Sequence, residues 1–393
     1  MAVTPQDTND RTIISVVDRL LLRASAERAS DIHIEPSPDA TRLRFRIDGV
    51  LVERPSFTSE QGASIASRLK IMSQLDISEK RLPQDGAFEF SVNNQQVPFR
   101  VATFPTEYGE KVVVRVLSRA DAALSIERLG VGPEHLDTLR RVALHQEGIV
   151  LVTGPTGAGK TTTMYALLHE LENKTRNIMT LEDPIEYRFE SIIQGQVNPK
   201  IGFSFARGLK AILRQDPDVI MVGEMRDVET AEIAFRAALT GHLVFSSLHT
   251  NSVVDSFVRL FDMGLERFVV ASALRAVIAQ RLVRRLCLNC SRQAPISALK
   301  RTLLGLTEAD EDLKAYEPVG CDDCNQTGYF GRVGLYEILE IDDVLADLLK
   351  SQTLSRQAIK DELASREVQS LREAGRSQVL KGATSIDEVL RVT

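Results

Sequence analysis

The chain has 393 residues, 43% of them hydrophobic and 26% charged, and a formal net charge of −6. This length exceeds one ordinary core, so we expect two or three domains of a soluble globular protein. The acidic balance and the absence of tryptophan argue against a nucleic-acid-binding protein. Residues 1–10 lack the pattern of a signal peptide. No run of 18 apolar residues predicts a transmembrane helix, so we expect a cytoplasmic protein.

Residues 1–120 are predicted to form a small α+β domain with an antiparallel sheet. Residues 10–29 carry apolar side chains at helical spacing, with charged side chains on the other face. Alternation of polar and apolar residues predicts strands at 41–53, with a turn at Asp48-Gly49, at 86–92 and 97–104 around a hairpin loop at 93–96, and at 111–117.

The rest of the chain is predicted to be a parallel-sheet nucleotide-binding core with additions. A linker at 121–135 leads to the core at 136–284, where "GIVLVTG", "NIMTLED", "DVIMVGE" and "HLVFSSLHT" alternate with helical segments. Uniformly apolar strands of this kind are typical of a parallel sheet covered on both faces by helices. A cysteine-containing subdomain at 285–335 and a charged, helix-prone tail at 336–393 follow.

The segment "GPTGAGKTTT" lies between the first apolar strand of the core and a helical pattern. It completes the pattern G-x-x-x-x-G-K-[ST], in which glycines let backbone N–H groups face phosphate oxygens at a helix N-terminus. Lys160 is expected to reach the β- and γ-phosphates and Thr161 to hold Mg²⁺. The alternative is a glycine-rich turn without a ligand. The candidate nucleotide-binding residues are Gly154, Pro155, Thr156, Gly157, Ala158, Gly159, Lys160, Thr161 and Thr162.

Acidic residues and one histidine follow three other apolar strands. Glu224 ends one strand at the edge where parallel sheets bind ligands, so it could hold Mg²⁺ through water or orient the attacking water. Glu182, Asp183 and Glu186 follow a second strand, and a carboxylate there could position water in line with the γ-phosphate. His249 ends a third strand. The alternative is a surface glutamate for Glu224, an ordinary acidic turn around a proline for Glu182 to Glu186, and a core residue for His249.

Four cysteines form two C-x-x-C pairs, "CLNC" at 287–290 and "CDDC" at 321–324. Two such pairs in a cytosolic chain predict a closed tetrahedral site for a structural zinc, with Cys287, Cys290, Cys321 and Cys324 as ligands. A redox pair or free thiols are the alternatives. A nucleic-acid-binding zinc ribbon is also conceivable, but Asp322 and Asp323 lie inside one pair.

In this order the motifs resemble the type II secretion and type IV pilus assembly ATPases, a superfamily that also includes pilus retraction motors. The resemblance covers nearly the whole chain. The N-terminal half contributes "RASDIHIEP", "FRIDGVL", "RLPQDG" and "YGEKVVVRVL". The core contributes "GPTGAGKTTT" as Walker A, "LEDPIEY" as Asp box, "DPDVIMVGEMRD" as Walker B and "TGHLVFSSLHTN" as His box. "RLVRRLCLNC" and "GCDDCNQTGYFGRVGLYEIL" match the tetracysteine segment.

The resemblance implies roles for individual residues. Glu186 corresponds to a general base, Glu224 to the Walker B acid, and His249 to a residue on the γ-phosphate side, which with Lys160 make the expected catalytic set. Lys210 stands at a nucleotide-contacting position where relatives usually have arginine. A lysine keeps the positive charge but cannot make the two parallel hydrogen bonds of a guanidinium. The expected nucleotide-contacting cations are Arg100, Arg115, Lys210, Arg214 and Arg332.

The resemblance also implies an architecture and a cellular role. The expected fold is α/β: a PAS-like α+β N-terminal domain, then a RecA-like P-loop ATPase core with a Cys₄ zinc-binding insertion and a helical C-terminal tail. Six copies would form a ring that binds ATP, Mg²⁺ and Zn²⁺. Domain rotation would drive polymerisation of pilin-like subunits through an inner-membrane platform protein, peripheral to the inner membrane of a bacterium. Relatives usually carry a further N-terminal domain that docks on a membrane-bound protein, whereas the matching region here begins almost at Met1.

The cysteine pairs are generally missing from retraction motors, so they favour a secretion or pilus assembly motor. The segment "FARGLKAILRQDPD" favours type II secretion, which is the leading functional hypothesis. Pilus extension is the nearest alternative and shares every motif. A RecA-like nucleic-acid translocase would need a basic pore and stimulation by DNA, and no nucleic acid is expected as a partner. A P-loop kinase for a small metabolite would lack both the ring and the paired cysteines.

Overall fold

The computed structural model describes residues 12–117, 125–172, 175–306, 314–351 and 354–393. By their internal contacts the residues group into two units, Met1–Ala120 and Asp121–Thr393. Part of the predicted linker, residues 121–124, lies outside the described residues, as do residues 10 and 11 of the first predicted helix.

The first unit contains an antiparallel sheet of six strands in the order β3-β2-β1-β6-β5-β4. Its helices are α1 (Ile13–Ala26) and α2 (Ser59–Met72), and its strands are β1 (Ala29–Pro36), β2 (Thr41–Ile47), β3 (Val50–Phe57), β4 (Gln84–Val92), β5 (Gln95–Thr106) and β6 (Gly109–Val116). Apolar residues of α1 and α2 pack on alternate residues of the sheet, among them Ile32, Phe45 and Val114. The predicted α+β domain with an antiparallel sheet is confirmed.

Tight turns set the register of two hairpins in this sheet. Asp48 and Gly49 both have positive φ, +49° and +87°, as predicted for the turn between β2 and β3. The loop between β4 and β5 is shorter than the predicted 93–96, because Gln95 already pairs with Val92. Asn93 and Asn94 alone make this turn, with φ of +50° and +64°, a conformation that asparagine tolerates better than most residues.

The second unit is built on a mixed sheet of seven strands in the order β15-β12-β7-β11-β10-β8-β9, in which only β15 is antiparallel. Its strands are β7 (Gly148–Thr153), β8 (Ile178–Glu182), β9 (Ile193–Gln196), β10 (Val219–Val222), β11 (Leu243–Leu248), β12 (Leu274–Leu286), β13 (Arg292–Pro295), β14 (Lys314–Glu317) and β15 (Tyr329–Glu340). Its helices are α3 (Pro133–Ala143), α4 (Lys160–Leu171), α5 (Phe205–Ile212), α6 (Val228–Leu239), α7 (Val253–Asp262), α8 (Arg267–Ala273), α9 (Ala298–Leu304), α10 (Asp343–Lys350), α11 (Arg356–Ser365), α12 (Leu371–Leu380) and α13 (Ile386–Val392).

Both faces of this sheet are buried, which explains the uniformly apolar strands. Along β7, Ile149 and Leu151 face a core shared with α5 to α8, whereas Val150 and Val152 face a core shared with α3 and α4. The predicted four parallel strands are confirmed as β7, β8, β10 and β11. The α/β fold with a RecA-like sheet and a helical C-terminal tail is confirmed as well.

The predicted subdomain boundaries at 284/285 and 335/336 fall inside β12 and β15, two paired strands of the large sheet. The cysteine pairs lie between these strands, beside the small antiparallel hairpin of β13 and β14. Among the described residues, no helix combines the length and apolar character needed to cross a membrane.

Candidate nucleotide and metal sites

The loop between β7 and α4 has a backbone that depends on its glycines. Gly159 caps α4 with a φ of +90°, and Gly157 has a φ of +79°, both in the left-handed region that favours glycine. A Cβ on Gly154 would lie 2.5 Å from the backbone oxygen of Gln280 on β12. The loop therefore lies directly against β12, and its N–H groups and the start of α4 form a cradle for an anion.

Lys160 lies folded over this loop. Its Nζ donates hydrogen bonds to the backbone oxygens of Gly154 at 2.8 Å and Pro155 at 3.2 Å. Burial lowers the pKa of Lys160, the Glu224 carboxylate opposes this effect, and the Arg281 guanidinium adds to it, which brings the pKa to about 8. A buried cation with this pKa gains from a nearby anion, so the position suits a phosphate.

Glu224 stands at the centre of a charged group on the same edge of the sheet. It follows β10, accepts a hydrogen bond from Arg226, and lies with its Oε2 3.2 Å from Nε2 of His249. Burial opposes ionisation, but Arg226 and His249 hold the pKa of Glu224 below its ordinary value. Arg226 also lies 3.6 Å from Asp183, which follows β8. Glu224 is therefore an anionic carboxylate that can hold Mg²⁺ or orient a water beside Lys160.

Glu182 and Glu186 have different surroundings although they are only four positions apart in the chain. The carboxyl of Glu182 is buried and accepts hydrogen bonds from the hydroxyls of Tyr165 and Thr180 and from the amide of Gln194. Burial raises the pKa of Glu182, and these hydrogen bonds oppose the rise. Glu186 is half-buried on the following loop. Because Glu182 is enclosed by donors, Glu186 is the acid better placed to reach a ligand.

Arg281 of β12 lies behind the phosphate loop, a residue that the sequence analysis did not single out. Its guanidinium donates to the backbone oxygens of Gln280 at 2.9 Å and Asn251 at 2.8 Å. Asn251 belongs to the segment after His249, so Arg281 links that segment to the phosphate loop. Burial lowers the pKa of this guanidinium.

The predicted cations of the second unit lie in different places. Burial and the Glu186 carboxylate raise the pKa of Tyr187, and Arg332 on β15 is near enough to oppose this rise, so it lies near the loop that carries Glu186. Lys210, on the last turn of α5, pairs with Glu229 at 2.6 Å. Arg214 follows α5 near the edge of the sheet where β8 and β10 begin, whereas the phosphate loop lies at the edge where the strands end. At that edge Asn177, just before β8, donates a hydrogen bond to the backbone oxygen of Gln215. Among the described residues, neither Lys210 nor Arg214 shows a side-chain hydrogen bond or ion pair with the phosphate loop, and their contact with nucleotide stays a prediction.

Arg100 and Arg115 belong to the first unit and face each other across β5 and β6. The Nε of Arg115 donates to Oδ1 of Asp31 on β1 at 2.9 Å. The two arginines therefore lie on the same face of the six-stranded sheet, and the helices α1 and α2 pack on its other face.

The four cysteines are brought together as predicted. Their sulfur atoms all lie within 4.8 Å of one another, so the group could hold a metal ion. The individual separations are 3.8 Å for Cys287–Cys321, 3.8 Å for Cys290–Cys324 and 3.7 Å for Cys321–Cys324. Burial opposes ionisation of Cys324, but backbone N–H groups from Cys321 and Gly328 bring its pKa to about 7. The four sulfur atoms are therefore arranged as the ligands of one metal ion would be.

Three residues near the phosphate loop, Arg226, Gln280 and Arg281, are not among the residues that the sequence predicts for the site. Arg226 lies in "GEMRD", two positions after Glu224, and a basic residue so close to a predicted Mg²⁺ acid was the available indication. Gln280 and Arg281 lie at the end of the predicted core, and Arg281 begins the segment "RLVRRLCLNC" that resembles the family's tetracysteine segment. Only the pairing of β12 with β7 brings them to the phosphate loop.

Comparison with known proteins gives consistent results. A family model described as "Type II/IV secretion system protein" matches residues 6–391. The "Type II secretion system ATPase E" of Vibrio cholerae is 46% identical over 388 residues, covering 99% of this chain and 76% of that protein. The "Type IV pilus assembly ATPase PilB" of Acinetobacter baylyi is 44% identical over 393 residues, covering 98% of this chain and 67% of that protein. The crystal structure of the pilus retraction motor PilT with bound ADP has a TM-score of 0.63, with 26% identity, and covers 96% of both chains.

Proposed function

Because the chain belongs to the type II/IV secretion system protein family, we propose that it is a motor ATPase that drives pseudopilus assembly in type II protein secretion. The observation that carries the proposal is the edge of the large sheet, where Lys160, Glu224 and His249 converge beside the phosphate loop. Type IV pilus extension is the second candidate, supported by the 44% identity to a pilus assembly ATPase.

The proposed reaction is hydrolysis of ATP to ADP and phosphate. Residues 154–162 would bind the phosphates, and Thr161 and Glu224 would hold Mg²⁺, which would neutralise phosphate charge when bound. Lys160 leaves the backbone oxygens of Gly154 and Pro155 to meet the γ-phosphate. Glu186 accepts a proton from the attacking water. His249 contacts Glu224 and through it helps to orient the γ-phosphate.

The proposed active form is a homo-hexamer. The reason is the family membership, since six copies form a ring in the architecture that the resemblance implies, with nucleotide held near neighbouring subunits. Lys210 and Arg214 are proposed to contact nucleotide there. Arg100, Arg115 and Arg332 complete the cationic set around the phosphates. The first unit is proposed as the PAS-like domain. The proposed ATPase core includes β12 and β15, so the cysteine segment between these two strands is an insertion in the core.

The proposed metal of the cysteine site is zinc. The separations of 3.7 to 3.8 Å between sulfur atoms correspond to a tetrahedron with Zn–S bonds of about 2.3 Å. Four thiolates leave no open position, so the ion would be structural. The proposed partners are an inner-membrane platform protein and a membrane-bound docking protein, with the chain in the cytoplasm, peripheral to the bacterial inner membrane.

The proposal is tested by the rate of ATP hydrolysis per protomer over a wide range of protein concentration, with and without single-stranded DNA. We expect the rate to rise with concentration and to be indifferent to DNA. Lys160→Ala and Glu224→Gln should each lower kcat about a hundredfold or more, because both remove stabilisation of the transferred phosphoryl group.

Lys350→Ala and Glu232→Gln are matched controls, since both residues are exposed on helices away from the charged edge. They should hydrolyse ATP at the unsubstituted rate. A rate per protomer that is independent of concentration, or several-fold stimulation by DNA, would contradict the ring motor and favour the kinase or translocase.

A further inference from the structure

The loop at 183–191, between β8 and β9, rests on the helix that follows the phosphate loop. Tyr165 of α4 packs its ring edge-on against the rings of Tyr187, at 5.6 Å between centroids, and Phe189, at 5.1 Å. Its hydroxyl donates to the buried carboxyl of Glu182, the last residue of β8. One side chain of α4 therefore contacts both ends of the segment that carries Glu186.

Gln194 of β9 ties the same segment together from the other side. Its Nε2 donates to Oε1 of Glu182 at 3.1 Å and to the backbone oxygen of Tyr187 at 2.8 Å. Its Oε1 accepts the backbone N–H of Phe189 at 3.0 Å. The amide thus joins a buried carboxylate to the loop backbone at two points.

A second glutamine of β9 makes a weaker contact of the same kind. Oε1 of Gln196 accepts the backbone N–H of Ile185 at 3.3 Å. Because Ile185 and Tyr187 flank Glu186, the backbone on both sides of this residue is hydrogen-bonded to β9. These contacts fix the backbone on either side of Glu186.

We propose that Gln194 is a positioning residue that holds Glu186 in register with the phosphate loop, through Glu182, Tyr165 and the backbone at 187–189. The inference rests on the proposed function, in which Glu186 is the general base. A base must lie within hydrogen-bond reach of the water it activates, and a displacement of about 1 Å can cost about a hundredfold in rate. Glu182 is then an anchor and takes no proton from the attacking water.

The first test is the kinetics of Gln194→Met, which keeps the length of the side chain and removes its hydrogen bonds. We expect kcat to fall about tenfold or more, while KM for ATP and Kd for ADP stay unchanged because the phosphate loop is untouched. Gln196→Met should show a smaller fall of the same kind. Gln293→Met, on the exposed hairpin strand β13, is the matched control and should have the unsubstituted kcat.

Two further variants keep the test valid if Gln194→Met folds poorly. Tyr165→Phe retains the ring contacts and removes only the hydroxyl, and it should lower kcat without changing KM. Gln194→Glu puts a second carboxylate beside Glu182, so a shared proton restores the bridge at lower pH. Its kcat relative to the unsubstituted protein should therefore rise as the pH falls, which a general loss of stability would not produce.

A double-substitution cycle separates positioning from other effects. If Gln194 acts through Glu186, Gln194→Met should cause no further loss of kcat in a Glu186→Gln background. Additive losses, or a rise of KM in Gln194→Met, would overturn the inference. If Glu186→Gln is inactive and Gln194→Met retains full kcat, the inference alone is wrong. If Glu186→Gln hydrolyses ATP normally, the proposed base is wrong and the inference falls with it.

Discussion

At the scale of single residues, Glu388 shows how a buried carboxylate joins a terminal helix to the central sheet. It lies on α13, is 2% exposed, and accepts hydrogen bonds from the backbone N–H of Arg284 at 2.9 Å and from its guanidinium at 2.8 Å. Arg391 donates to it at 2.7 Å. Burial alone would raise the pKa of Glu388, but hydrogen bonds from Arg391 and Arg284 lower it to about 2.

This pKa predicts a pH-dependent contribution to stability. Because the pKa in the folded chain lies below the unfolded value of about 4.3, the ionised carboxylate stabilises the folded state fully above about pH 5, and this stabilisation is lost as the pH falls toward 2. Glu388→Gln should lower the free energy of unfolding by about 3 kcal/mol at neutral pH, and by progressively less as the pH falls below 5.

The measurement is urea unfolding at several pH values, read by pulsed hydrogen exchange in peptides of β12 and α13. Glu232→Gln, an exposed change on α6, is the control and should show a small difference that does not depend on pH. If the difference between Glu388→Gln and the unsubstituted protein were the same at pH 7 and pH 3, the ionised carboxylate would not be the stabilising form.

At the scale of elements, the sequence reveals local patterns better than distant pairings. The strands β7, β8, β10 and β11 were predictable, because each is an apolar run and the glycine pattern after β7 is local. Strands β12 and β15 were not, since Ala276 pairs with Glu340, far along the chain, and both strands carry buried polar residues.

The same limit applied to the site. Glycines and lysine of the phosphate loop could be named from spacing, and so could the acid and histidine that end β10 and β11. The bridge made by Arg226 and the contacts of Gln194 and Arg281 arise only when separate strands meet. A side chain whose partners come from other elements has no pattern of its own in the sequence.

The cysteine cluster is the element whose integrity depends on a metal. We predict about one zinc per chain by elemental analysis and loss of that zinc in Cys321→Ser, because three thiolates hold a structural zinc less tightly than four. Loss of zinc should raise hydrogen exchange at 287–295 and 314–328 while the paired centre of β12 and β15 stays protected. Ser291→Ala, beside the cluster, is the control. Full zinc content in Cys321→Ser would contradict the assignment of this cysteine as a ligand.

At the scale of the whole molecule, the two units have separate cores. The described core of the first unit contains only residues between Ile13 and Val116, and those of the second only residues between Ile126 and Val392. The phosphate loop, the charged edge and the cysteine cluster all belong to the second unit, whereas Arg100 and Arg115 belong to the first. Binding and hydrolysis of nucleotide should therefore depend on the two units differently.

We predict that residues 1–120 and 121–393, produced separately, each unfold in a cooperative transition of their own, because neither core is shared. The fragment 121–393 should bind fluorescent ADP with the affinity of the full chain but hydrolyse ATP at least about a hundredfold more slowly, since it lacks two arginines proposed to neutralise phosphate charge. The full chain with Arg100→Ala and Arg115→Ala is the control and should match the slow rate of the fragment. Hydrolysis by 121–393 at the full-chain rate would mean that the arginines of the first unit take no part in the reaction.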